Sequence, residues 1–129
     1  CDPLNASINL VLANAYQKVE DIDQARYYFA KSMELDWEDE EILRDYVFFL
    51  LSQHPLEALE LLEDFQMELE HNPEYVLLFT HTLIHLNRMP EALMLFSSLV
   101  AVDKSQASLI LEWNPALQYH KDFVTLLHE

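Results

Sequence analysis

Three alanines set the frame within which this chain can fold. Asp23-Gln24-Ala25, Leu56-Glu57-Ala58 and Pro90-Glu91-Ala92 each open a helical stretch, and the alanines lie 33 and 34 residues apart. A large apolar residue follows each of them four positions later, at Phe29, Leu62 and Phe96. Elsewhere apolar residues recur at i, i+3, i+4 and i+7, the amphipathic helix period, while strand-like alternation is missing. Breaks at 20–23, 36–39, 53–55, 71–73, 87–90, 103–105 and 114–115 leave stretches of about 12 to 17 residues. The spacing predicts about eight helices with short connections, arranged as successive pairs. A paired-helix unit of this length buries both faces only by stacking on its neighbours. The expected fold class is therefore all-α, a solenoid of helix-turn-helix repeats in a single domain over residues 1–129. The repeats cover about 5–38, 39–72 and 73–104, followed by a C-terminal cap over 105–129.

Composition narrows the function classes. Gly is absent from all 129 residues, so neither a P-loop nor a dinucleotide-binding turn can be built. The chain carries 23 acidic against 7 basic residues, a net charge of −16. Such a field repels phosphates and anionic headgroups, which argues against nucleic acid and acidic membranes and leaves a neutral or basic partner. The charges are interleaved with Leu, Phe, Tyr and Val along the chain, unlike a disordered acidic tail. One cysteine, Cys1, cannot form an internal disulfide, and no apolar run approaches the roughly 20 residues that span a bilayer. Without direct membrane insertion or a visible secretory signal, the expected compartment is the cytoplasm. A leading Cys in place of Met fits a chain that continues upstream or has been trimmed, with a lipidated Cys1 as the lesser alternative.

The residues in register along the units resemble the tetratricopeptide repeat family. In the first unit Leu12-Ala13 stands at the Leu–Gly pair, Tyr16 at the Tyr, Ala25 at the small residue and Phe29 at the aromatic. Leu35-Asp36-Trp37 stands where Leu-Asp-Pro usually ends the unit. The third unit offers Val76, Phe79, Thr80, Leu83, Ala92 and Phe96, and the second Leu43, Tyr46, Val47, Leu50, Ala58 and Leu62 after a connection one residue short. Ala13, Val47 and Thr80 replace the family's Gly, and the bulkier two are expected to space their helices slightly apart. The resemblance implies a right-handed superhelix. Beyond the repeats, Ser105 is expected to cap a short helix and Asn114-Pro115 to start a last one. This closing pair resembles the ends of bacterial tetratricopeptide proteins. No N-terminal cap is visible, so the apolar face of Leu4, Ile8 and Val11 fits either further upstream repeats or a second copy of the chain.

Few residues suggest chemistry. His81 and His85, four apart on one helix, have a metal-ligand spacing, but no third ligand or general base accompanies them. Their plainer role is as polar contacts in the groove. His54, His71, His120 and His128 lie near turns or the C-terminus and are expected in solvent. Glu38-Asp39-Glu40-Glu41 falls at a helix start, where carboxylates accept free N–H groups and complement the dipole. Ser32, Ser97 and Ser98 lie within helices and Cys1 is terminal, leaving no activated nucleophile. No enzyme activity, cofactor or metal is expected.

Binding remains. The resemblance implies that the first helix of each unit lines a concave groove. Its ligand-reading positions would be Leu10, Asn14, Gln17 and Lys18 in unit one, Arg44, Phe48 and Leu51 in unit two, and Leu77, His81, Ile84 and His85 in unit three. Within the family, a clamp for a chaperone's C-terminal carboxylate needs a cationic pair and two Asn. Here Asn14 matches one Asn, but Leu10, Glu74 and Leu78 occupy basic positions and Arg44 stands alone, so that subtype does not fit. The expected function is a non-catalytic scaffold holding a peptide or helix of a partner protein. The alternative is a structural segment of a longer array, or a self-associating scaffold.

Overall fold

Acidic and amide side chains stand where the helices begin, and their oxygens take up backbone N–H groups that no earlier turn can satisfy. Asp21 accepts from Gln24 N at 3.3 Å, Asp39 from Glu41 N at 2.9 Å and Asp103 from Gln106 N at 3.0 Å. Asn72 accepts from Glu74 N at 2.9 Å and from Tyr75 N, with Pro73 in the first turn where its missing N–H is harmless. In the computed structural model, residues 3–128 are described, and among them there is no strand. The expectation of an all-helical chain holds. Cys1 lies outside the described residues. No described helix is long and apolar enough to cross a membrane.

The helices fall into two compact units, residues 1–53 and 54–129. The first contains α1 (Pro3–Lys18), α2 (Ile22–Leu35) and α3 (Glu40–Gln53). Ala13, Ala25 and Phe29 are fully buried there. The Ser32 hydroxyl donates to the Ala6 carbonyl, fixing α2 on α1. Phe29 carries the packing on to α3, stacked on Tyr46 at 5.5 Å and tilted against Phe49 at 5.0 Å.

The second unit contains α4 (Pro55–Asp64), α5 (Gln66–Leu69), α6 (Pro73–His85), α7 (Met89–Val102), α8 (Lys104–Ser108) and α9 (Ile110–Trp113). A 3-10 helix over Pro115–Tyr119 and α10 (Lys121–His128) complete it. Its core gathers Leu77, Leu83, Ala92, Phe96, Ile110 and Phe123, with Phe96 and Phe123 in contact at 4.8 Å. The Tyr75 hydroxyl donates to the Leu62 carbonyl and ties α6 to α4.

The boundaries differ from expectation at Phe65, at the start of α8, at Leu109 between α8 and α9, and after Pro115. Phe65, at φ −106° and ψ 11°, separates α4 from α5. The cap of α8 is Asp103 rather than Ser105, because the carboxylate is reached first along the chain. The helix expected from Pro115 is divided at His120, whose extended backbone (φ −89°, ψ 112°) ends the 3-10 turn before α10 starts. His120 is also not in solvent. It is half-buried, its ring edge-on to Phe123 at 5.1 Å.

Two of the turns repeat atom for atom. Glu20, between α1 and α2, and Asn87, between α6 and α7, both have φ of 62° and lie 67 residues apart. Around Glu20, Asp21 N donates to Tyr16 O at 2.9 Å and Glu20 N to Gln17 O at 3.1 Å. Around Asn87, Arg88 N donates to Leu83 O at 2.8 Å and Asn87 N to Ile84 O at 3.0 Å. Both are Schellman turns, which satisfy the last carbonyls of a helix through one left-handed residue. Glycine normally takes that position; Asn tolerates it, and Glu pays a Cβ penalty of roughly 1 kcal/mol. Glu20→Gly is expected to stabilise the protein by about 1 kcal/mol in chemical denaturation, and Asn87→Gly by less. Equal effects, or a loss at position 20, would show that the left-handed geometry carries no strain.

Candidate functional site

The side chains expected to read a ligand divide by burial. In the first unit Leu10 and Leu51 are 7 % and 6 % exposed, which makes them core. In the second unit Leu77 is fully buried and Ile84 nearly so, both inside the cluster around Phe96. These four cannot line a ligand face as expected. Their helices turn apolar side chains inward, and the same 3.6-residue period that suggested a groove describes the core. Asn14, Gln17, Arg44, Phe48 and His81 are half-buried, while Lys18 and His85 are exposed.

In the first unit the structure brings two of the expected residues to one carboxylate. The Asn14 side-chain amide donates to Asp45 Oδ2 at 3.2 Å and to the Leu10 carbonyl at 3.2 Å. Arg44 Nε lies 3.7 Å from Asp45 Oδ1. Asp45 therefore holds the α1 and α3 faces together and fixes the Asn14 amide with its two donors engaged, leaving the side-chain carbonyl as the acceptor for a ligand N–H. Sequence reasoning missed Asp45. Its signal was its place beside Arg44, beyond the acidic run at the start of α3 that reads as helix capping.

In the second unit His81 packs edge-to-face on Trp113 of α9, ring centres 5.6 Å apart, and His85 sits in the last turn of α6. Burial, helped by the nearby His85, pushes the His81 imidazole down to about 4. The ring is thus neutral at ordinary pH and packs against Trp113. Burial, with Glu63, Glu70 and Glu68 nearby, pushes the Tyr75 phenol above its usual range, so it stays a donor to Leu62. Among the described residues no three of His, Cys, Asp and Glu converge on a common point.

No family model matches this chain, and no curated protein is significantly similar to it.

Two expectations follow. Leu77→Ala removes a fully buried side chain and should cost about 2 to 5 kcal/mol in denaturant unfolding. A cost under about 0.5 kcal/mol would return Leu77 to the surface. For His81, the folded value of about 4 lies below the ordinary imidazole value of 6.5. The unfolded chain then binds more protons between these values, so stability is lost as pH falls from 6.5 towards 4. His81→Phe should flatten that part of the stability–pH curve, and an unchanged slope would show that His81 does not stay neutral in the fold.

Proposed function

We propose that this chain is a non-catalytic, tetratricopeptide-like interaction module that holds a peptide or helix of a partner protein. The observation that carries this reading is the polar cluster of Asn14, Asp45 and Arg44. A side-chain amide fixed by a neighbouring carboxylate is suited to bond a peptide backbone, because little of its freedom remains to be lost on binding. Half-buried Phe48, nearby on α3, supplies apolar surface of the kind that anchors a partner side chain. Gln17 and Lys18 extend the polar face along α1. Support for the repeat assignment comes from the paired Schellman turns 67 residues apart. The buried Ala25–Phe29 and Ala92–Phe96 pairs follow the same interval.

The acidic surface selects a neutral or basic protein over nucleic acid, and binding weakens as salt rises. With one cysteine and no disulfide to form, the module suits the cytoplasm. Affinity capture from cell extract, with the chain as bait beside an Asn14→Ala/Arg44→Ala/Phe48→Ala control, tests the assignment. Partners are expected to be lost with the control while its circular dichroism stays helical. Partners retained equally by a folded control would remove the α1/α3 face from the binding role.

A further inference from the structure

The outer face of α1 is the most continuous exposed apolar surface in the first unit. Leu4, Ile8, Val11 and Leu12 are 72 %, 49 %, 68 % and 37 % exposed, and Ala15 is exposed beside them. Ser7, Ile8, Val11 and Leu12 line a shallow recess of about 280 Å³ on this face. Leu4, Ile8, Val11 and Ala15 follow one another at intervals of four, three and four, a seam that runs straight along the helix.

Charge decides what can cover such a seam. From Pro3 to Lys18 the helix has no Asp or Glu, and its only charged residue is Lys18. The other helices of eight or more residues each carry at least one carboxylate. A basic partner gains nothing from a face without carboxylates and would seek the acidic helices instead. For a second copy of a −16 chain the preference reverses, since this carboxylate-free helix is where two copies approach with least repulsion. The seam is also self-complementary. Antiparallel pairing about the point between Asn9 and Leu10 sets Ile8 against Val11 of the other copy. It sets bulky Leu4 against small Ala15, and the two helix dipoles oppose favourably.

We infer that the outer face of α1 pairs antiparallel with α1 of a second copy, forming a two-fold dimer. The interface is isologous, so it closes at two. A single helix pair about 24 Å long covers less than the roughly 800 Å² per partner of a standard interface, so the dimer is weak and reversible. Because mutual repulsion opposes it, added salt strengthens it, the opposite of the dependence expected for partner binding. This inference does not rest on the proposed function.

Sedimentation velocity over a wide concentration range, at low and high salt, tests it. The chain should approach twice its monomer mass with rising concentration, more readily at high salt. Ile8→Lys and Val11→Glu, both at exposed positions, should each weaken dimerisation by about tenfold or more with helicity retained. An equimolar mixture of the two should restore it, because antiparallel pairing sets the new Lys against the new Glu. A monomer throughout, dimers undiminished in both variants, growth beyond two copies or failure of the mixture to associate would each overturn the inference.

Discussion

A helix can turn back on the next through one residue of positive φ, a position glycine usually takes, and this chain has no glycine to put there. That constraint organises the helix pairs. Where a left-handed turn closes a pair, at Glu20 and at Asn87, the hydrogen bonds follow the same pattern. Where the chain avoids the left-handed residue, between Gln53 and Pro55, one extended residue remains: His54, at φ −144° and ψ 77°. The residue before a proline is driven out of the helical region, so Pro55 ends α3 as surely as a Schellman turn would. This connection is two residues shorter than Leu86–Arg88 between α6 and α7, and α3 is one residue longer than α6, so Ala25 and Ala58 are 33 apart while Ala58 and Ala92 are 34. One irregularity in the period thus has a local backbone cause.

Helices α2, α3 and α6 were legible because each was marked twice, by an apolar period and by a side-chain cap, whereas α4 and α7 carry a proline in the first turn and no side-chain cap. Asp21, Asp39 and Asn72 fall where the composition breaks, and Ala25, Phe29, Ala92 and Phe96 are buried as their spacing implied. What escaped were features set by competition between neighbouring signals. Asp103 and Ser105 are both good caps, and the earlier one takes the N–H. His120 reads as a solvent residue because it lies near the C-terminus, yet Phe123 three positions later draws its ring into contact. The interruption at Phe65 has no such account, since neither glycine nor proline stands there.

The candidate site was less legible, for a reason specific to helices that pack on two sides. Position in a repeat tells which face of α1, α3 or α6 a residue occupies, but not how deep the neighbouring helix reaches. Leu10, Leu51, Leu77 and Ile84 sit at the expected positions and are covered. Asn14, Arg44 and His81 sit beside them and keep part of their surface. Polarity separates the two groups better than register does. A side chain that cannot be desolvated without a partner stays at the edge of the core, and the partner it finds there, Asp45 for Asn14, orients it.

The distribution of charge then gives the molecule two surfaces of different kind. On α3 and α4 carboxylates stand beside the apolar positions, so a contact there is favoured by positive charge and weakened by salt. On α1 the carboxylates stop, although the chain averages more than one acidic residue in six. A helix of sixteen residues drawn at that density would carry two or three. Their absence coincides with the apolar seam of Leu4, Ile8, Val11 and Ala15 rather than with the inward face, where a carboxylate would be excluded by burial anyway. An exposed helix face that is kept both apolar and uncharged, within a strongly acidic chain, is placed to meet another surface of low charge.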